Sequence, residues 1–383
     1  MKKVYLMSAD MGGGHDSTAN ALQKAIEMRQ LPWQFHVVEF FKEIGGTSLP
    51  QTVYNNLVLK ESWGSWVRIF NEPILVPSLK LKVRLNYSAW LKRLRSYLYQ
   101  HKPDIVISLF PYINRILYEG LQATLPNVPF ITLPIDFADC PPHFWIEQQD
   151  QFLICPTERM VEQAQELGYR EEQILRTSGV IINPRFYEPI NCDRKVERQR
   201  LGLDPDLPTA LVMFGGRGSN AMLEVAESLE RSPLNLQLIL ICGRDKKLAD
   251  TLRRSQSRLL RYVENYTSEI PYYMHLSDFF IGKPGPGSMS EALAMKLPVI
   301  TVSNAFTMLQ ERYNPEWIAS NGFGIVVRDF REVDRAVAQL LVSENFARYR
   351  AKAAALNNQA VFEVVDFLEG ILEKSEVRSK EFV

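Results

Sequence analysis

The sequence predicts an α/β protein of two tandem domains, each a parallel sheet covered by helices on both faces. Three observations carry that reading. Short apolar runs alternate with longer helical patterns along both halves of the chain. The runs are apolar throughout, the pattern of strands buried on both faces. And 383 residues, 46% of them apolar, suffice for two cores of ordinary size.

In chain order, first-half strands are predicted at 4–8, 35–38, 104–110, 130–135 and 152–155. A helix over 16–29 shows one stripe of Ala21, Leu22, Ala25 and Ile26. Second-half strands are predicted at 210–214, 238–242, 260–263, 279–282, 299–302 and 324–327, with helices near 218–231, 287–296 and 332–342. Segment 183–202, with Pro184, Pro189 and the charge run 193–200, reads as an interdomain linker and an entering helix.

One stretch breaks the alternation. Residues 45–99 show no strand pattern and interleave Trp63, Trp66, Phe70, Trp90 and Tyr97 with Lys60, Arg68, Lys80, Lys82, Arg84, Lys92, Arg93 and Arg95. Insertions of this size often build a substrate or surface element. Two readings stand: aromatics entering a membrane interface beside cations that meet anionic headgroups, or buried aromatics beneath a basic surface.

Lys+Arg and Asp+Glu are equal at 44 each, which argues against nucleic-acid binding. Cys140, Cys155, Cys192 and Cys242 lack metal-ligand or disulfide-framework spacing and read as reduced thiols of a cytoplasmic protein. No run approaches the ~20 apolar residues of a membrane span. The apolar stretch after Lys2-Lys3 is too short for a signal peptide, so membrane contact is expected to be peripheral. His15, His36, His101, His143 and His275 form no ligand cluster, and no metal site is expected.

Gly12-Gly13-Gly14-His15 joins the first strand to the first helix. Glycines there let a ligand approach the backbone, and a helix N-terminus favours an anion. A tight turn with a locally packed histidine explains the pattern equally well. His15 falls where open α/β sheets place their ligand crevice, and an imidazole suits removing a hydroxyl proton. Asp136 or Asp139, after a later strand, would orient His15, bind the acceptor, or simply shape the loop.

The most specific segment is Gly282-Lys283-Pro284-Gly285-Pro286-Gly287-Ser288-Met289-Ser290-Glu291. A strand ends, a stiff turn follows and a helix is expected near Ser288, with the N–H groups of Gly287 and Ser288 aimed at an anion such as diphosphate. Glu291 would accept both ribose hydroxyls or close a capping box with Ser288. Phe214-Gly215-Gly216-Arg217-Gly218-Ser219 repeats the logic after the first strand of this half. Gln310-Glu311 would hold sugar hydroxyls or sit in a solvated loop.

These residues resemble the family of monogalactosyldiacylglycerol synthases and processive diacylglycerol glucosyltransferases, whose plan the more distant peptidoglycan N-acetylglucosaminyltransferase shares. The resemblance rests on Met7–Leu22 (MSADMGGGHDSTANAL), Cys242–Leu248 (CGRDKKL), Gly282–Leu293 (GKPGPGSMSEAL) and Gln310–Trp317 (QERYNPEW), with Pro134–Trp145 and Gly179–Phe186 weaker. It spans nearly the whole chain in order. It implies a GT-B fold: two Rossmann-like domains facing across a cleft, with a C-terminal helix returning to the first. The domains would be 1–185 plus about 360–383 for the acceptor, and 186–359 for the donor.

The implied activity is inverting, metal-independent transfer of a hexose from UDP-glucose or UDP-galactose to a lipid hydroxyl, most readily diacylglycerol. It would occur on the inner face of an anionic membrane, with no cofactor. By resemblance, His15 is the base, with Gly13 and Gly14 in the acceptor or phosphate loop. Gly216, Ser219, Gly287 and Ser288 take the diphosphate, Glu291 the ribose, Gln310 and Glu311 the sugar, and Tyr266 to Ile270 frame the uracil. The residues themselves add Arg217, Lys283 and Gly285 to the donor site, with Arg217 or Lys283 expected to neutralise the leaving diphosphate. Asp16 stands where the family commonly has a basic residue, and Arg217 adds charge to the second-half turn. Alternatives are a UDP-sugar transferase on a carotenoid, peptidoglycan precursor or small metabolite, a UDP-sugar 2-epimerase, and a non-catalytic UDP-sugar sensor.

Overall fold

In the computed structural model the described residues are 1–9, 13–46 and 66–381, with the backbone alone over 66–82 and 375–381. The chain divides into two units, Met1–Pro184 with Gln359–Val383, and Arg185–Asn358.

The first unit holds β1 (Lys2–Ser8), α1 (Gly13–Met28), β2 (Trp33–Glu39), the single turn α2 (Phe40–Glu43), α3 (Trp66–His101), β3 (Ile105–Ser108), α4 (Asn114–Thr124), β4 (Phe130–Thr132), β5 (Phe152–Cys155), α5 (Glu158–Glu166) and β6 (Ile174–Arg176). Its strands pair in parallel in the order β2-β1-β3-β4-β5-β6. Val4, Leu6 and Met7 of β1 are fully buried, as a strand covered on both faces requires. The order reverses between β1 and β3. That is where doubly wound sheets open a crevice at their carboxyl ends.

The 45–99 stretch resolves into a helix over its described part. Trp90, Leu94 and Leu98, four residues apart, bury one face of α3 against Phe40, Phe41, Leu117 and Leu121. The Trp90 indole donates to the Gly45 carbonyl at 3.1 Å, and Tyr97 stacks on His101 at 4.1 Å. Trp90 and Tyr97 therefore belong to the packing of the domain and not to an interface. Arg84, Lys92, Arg93 and Arg95 stay on the exposed side. Lys60 and Trp63 lie outside the described residues, as do the side chains of Trp66, Arg68, Phe70, Lys80 and Lys82.

The second unit contains α6 (Arg194–Arg200), β7 (Thr209–Met213), α7 (Ala221–Arg231), β8 (Gln237–Ile241), α8 (Lys246–Arg254), β9 (Arg261–Glu264), α9 (Ile270–His275), β10 (Phe279–Ile281), α10 (Pro286–Ala294), β11 (Val299–Val302), α11 (Tyr313–Ser320), β12 (Gly324–Val327), α12 (Val333–Leu340) and α13 (Ser343–Ala355). The parallel order is β12-β11-β10-β7-β8-β9. The reversal falls between β7 and β10, the strands that lead into the two Gly-rich turns. The charge run 193–200 is not a free linker. Arg194 and Arg198 of α6 both pair with Asp278 at 2.7 Å, and Arg198 is buried. These bonds tie the run to the start of β10 and keep it inside this unit.

The last helix, α14 (Ala360–Glu381), packs with the first unit. Val361, Val364, Val365, Leu368 and Leu372 are buried along one face. Asp366 pairs with Arg29, Phe367 meets Phe152 edge to face, and Glu363 accepts the Ser178 N–H at 2.7 Å. Among the described residues, no helix is long and apolar enough to cross a membrane.

Candidate functional site

In the first unit, α1 begins at Gly13, so His15 sits in its first turn at the carboxyl edge of β1. Its ring is 8% exposed and lies 5.9 Å from the Phe110 ring, which follows β3. Burial lowers the imidazole pKa to about 4, against a smaller upward pull from the Leu109 carbonyl. His15 is thus neutral at pH 7. Its Nδ1 is buried with no hydrogen-bond partner among the described residues.

A Cβ on Gly14 would stand 3.2 Å from Ile135, so the turn closes directly against the loop after β4. Gly13 has open space beside it, and Gly12 lies outside the described residues. Asp136, in that same loop, accepts from the Trp145 indole at 2.9 Å and does not hold His15 by Nδ1. Asp139 shapes the loop, accepting the N–H groups of His143 and Trp145 at 2.7 and 2.5 Å. Burial raises its pKa while those bonds pull it down. Asn114, at the start of α4, braces the loop, receiving the hydroxyl of Ser108 at the end of β3 at 2.5 Å and donating to the Trp145 carbonyl at 2.9 Å. Beside the loop runs a groove of about 580 Å³, lined among others by Tyr87, Tyr112, Arg115, Glu119 and His143.

In the second unit the two Gly-rich turns meet. The Lys283 side chain runs between them, its Cε 4.0 Å from where a Gly215 Cβ would stand and 3.2 Å from that of Gly285. Helix α10 starts at Pro286, two residues before the position expected from sequence, because proline is already set for a first helical position. Gly285 is the N-cap and brings no side chain, so the Gly287 and Ser288 N–H groups head a helix end suited to an anion. The Ser288 hydroxyl donates back to the Gly285 carbonyl at 3.2 Å, and no capping box with Glu291 forms. The Glu291 carboxyl has no hydrogen bond or ion pair among the described residues, and burial pushes its pKa up to about 8.

The turn after β7 is held by close backbone packing. Gly215 and Gly218 have φ of 81° and 75°. The Arg244 N–H donates to the Gly216 carbonyl at 3.0 Å, and a Cβ on Gly218 would stand 2.3 Å from the Cys242 carbonyl oxygen. Gly218→Ala is therefore expected to destabilise the unit by about 1–3 kcal/mol, visible as a lower melting temperature. Gly287→Ala, with nothing within 4 Å of its Cβ, should melt as the parent does. The Ser219 hydroxyl accepts the Ala221 N–H at 3.2 Å, and Arg217 stands between Gly216 and Gly218 on the same turn.

Tyr266 is largely exposed beside Gly216, 3.7 Å from its Cβ position, with the Arg244 guanidinium 4.7 Å above its ring. Ile270 opens α9, partly buried. Gln310 and Glu311 lie in a 3₁₀ turn and not in a solvated loop. Among the described residues the Gln310 side chain reaches only the Met308 sulfur, at 3.9 Å. Glu311 is 7% exposed and receives Lys283 Nζ at 2.6 Å.

Sequence reasoning missed two residues here. Asn314 is fully buried and donates to the Pro284 carbonyl at 2.7 Å, which straps the Gly-Pro-Gly turn. Arg244 covers Tyr266. Both lie in motifs singled out above, QERYNPEW and CGRDKKL, yet nothing in their spacing reveals the partners. Among the described residues, no group of three or more His, Cys, Asp or Glu is placed to hold a metal ion.

Comparison with known proteins bears on both units. Residues 15–182 match the family model of monogalactosyldiacylglycerol (MGDG) synthase, and residues 209–367 that of the glycosyltransferase family 28 C-terminal domain. A probable monogalactosyldiacylglycerol synthase 2 of Oryza sativa subsp. japonica, chloroplastic, is 30% identical over 95% of this chain and 79% of its own length. Monogalactosyldiacylglycerol synthase 3 of Arabidopsis thaliana, chloroplastic, is 28% identical over 95% of this chain and 80% of its own. Among solved structures, MurG of Acinetobacter baumannii superposes with a TM-score of 0.64 at 15% identity, covering 97% of this chain and all of that one. A Staphylococcus aureus MnaA–UDP structure gives 0.62 at 15% identity, covering 97% of each chain. Two parallel six-stranded sheets with their helices match the GT-B glycosyltransferases among these structures.

Proposed function

The chain belongs to the monogalactosyldiacylglycerol synthase family, and from that premise we propose that it transfers a hexose from a UDP-sugar to a hydroxyl of diacylglycerol at a membrane surface. Glycosyl transfer itself follows from the family. The donor reading is supported above all by one observation: the turns after β7 and β10 converge on Lys283 at the point where the sheet order reverses.

In this reading the diphosphate lies over the Gly287 and Ser288 N–H groups and the turn at Gly216, Arg217 and Ser219. Lys283 and the helix dipole offset its charge as the bond to the sugar breaks. Glu291 takes the ribose hydroxyls, and Tyr266 under Arg244 gives the uracil a flat face beside Ile270. Gln310 and Glu311 serve the sugar. His15 removes the acceptor proton, and the oxygen attacks the anomeric carbon opposite the leaving UDP, inverting its configuration. Asp136 supports the His15 loop through Trp145. No step draws on a metal or a cofactor.

Membrane contact is assigned to the cationic side of α3, where Arg84, Lys92 and Arg95 stand near the exposed Leu85 and Tyr99. Such cations contribute about 1 kcal/mol each near an anionic surface. We place the enzyme peripherally on the cytoplasmic face of its membrane.

The test is a matrix of UDP-glucose, UDP-galactose and UDP-N-acetylglucosamine against diacylglycerol and other lipids, read by mass spectrometry. A hexosyl-diacylglycerol is the expected product. Transfer to non-lipid acceptors alone, or interconversion of UDP-sugars without an acceptor, would overturn the reading. Flotation with anionic liposomes at low salt checks the membrane assignment separately.

A further inference from the structure

Glu311 is an oddly placed sugar ligand. It is 7% exposed, and its carboxylate pairs with Lys283 alone among the described residues, at 2.6 Å. Lys283 in turn has its stem against both Gly-rich turns, Cε 4.0 Å from the Gly215 Cβ position and 3.2 Å from that of Gly285. The same ammonium therefore faces two demands. A diphosphate on those turns needs it, and so does a buried carboxylate that is costly to leave unpaired.

We propose that the Lys283–Glu311 pair is an exchange element that makes diphosphate recognition depend on the sugar. The diphosphate draws Lys283 away from Glu311. The freed carboxylate then needs a new hydrogen-bond donor, and a hydroxyl of the sugar attached to that diphosphate supplies it. A nucleoside diphosphate without a sugar breaks the pair and leaves Glu311 uncompensated. Lys283 is thus a positioning residue for the donor sugar as well as a counter-charge. The mobile part is a flexible side chain 42% exposed. The turn beneath it is strapped by Asn314 on the Pro284 carbonyl, so exchange does not require the backbone to move. The inference rests on the donor reading above and adds to it an order of preference: UDP-sugar over UDP.

Calorimetric titration of UDP and of a UDP-hexose, without acceptor, tests it on the full chain. Glu311→Gln removes the competing charge. It is expected to bind UDP about 3–10-fold tighter than the parent and to lose most of the parent's preference for UDP-hexose over UDP. In a Lys283→Met background the same Glu311→Gln change should leave UDP affinity unaltered, because no ammonium remains to contest. Glu311→Asp, which draws the carboxylate back by one methylene, should tighten UDP in the same direction and serves if the glutamine variant melts early. UDP affinity that is unchanged or weaker in Glu311→Gln and Glu311→Asp, or a Glu311→Gln effect that persists without Lys283, overturns the exchange. Failure of the parent to bind either nucleotide would sink the donor reading instead.

Discussion

His15→Ala is expected to lower transfer by about 10²–10⁴-fold, the range for loss of a positioned general base, while UDP affinity stays at the parent value. The second expectation follows from the site itself, since every diphosphate, ribose and uracil residue assigned above lies in the other unit. The pH dependence separates this role from a packing role. An ordinary imidazole would be half protonated near pH ~6.5, whereas burial holds His15 neutral down to about 4. The acid limb of kcat/KM assigned to this base should therefore fall near 4. Stability carries the same signature with a definite sign. Between pH 6.5 and 4 the unfolded chain binds a proton that the folded chain refuses, so stability drops as pH falls through that window. His15→Gln should flatten the melting temperature there. A variant that kept full transfer, or an acid limb that survived in it, would remove His15 from the chemistry.

The residues that were legible in the sequence share a physical property: their environment is set by near neighbours. Val4–Met7 and Phe279–Ile281 are apolar without alternation, which only a doubly covered strand tolerates. Gly282 to Glu291 shows a strand end, a turn and a helix start within ten residues. β6, by contrast, is three residues at a sheet edge with Ile174 and Leu175 only partly buried, too short and too wet to give a pattern. The face of α3 formed by Trp90, Leu94 and Leu98 is flanked by Lys and Arg, so the sequence leaves a membrane element and buried aromatics equally open, and only the packing of Trp90 decides for the second. Pairings across long separations are the least legible. Lys283 and Glu311 are 28 positions apart and Asn314 reaches back 30 to Pro284, and no local rule announces either bond.

Glu291→Gln should weaken UDP about 5–10-fold, as expected when a hydrogen bond to a charged group worth about 1.5–3 kcal/mol becomes a neutral one worth about 0.5–1.5 kcal/mol. The same change should stabilise the protein without ligand. Burial holds the Glu291 carboxyl protonated up to about pH 8, whereas in the unfolded chain it ionises near 4.5. Between those values the folded state binds one proton more than the unfolded state, so this group makes stability fall as pH rises. The glutamine variant is free of that cost, and its advantage in melting temperature should grow from pH 5 to pH 8. Ribose hydroxyls that donate to Glu291 favour its ionised form. UDP binding in that window should then release a proton, detectable by calorimetry in buffers of different ionisation enthalpy, and affinity should rise toward pH 8. Because a capping box is absent and the carboxyl has no other partner among the described residues, a helix-capping role predicts the opposite outcome for stability: the variant would melt earlier. Parent-like UDP affinity with unchanged proton release would take Glu291 out of the donor site, whereas a more stable but weaker-binding variant identifies a carboxyl kept for a ligand at the expense of the fold.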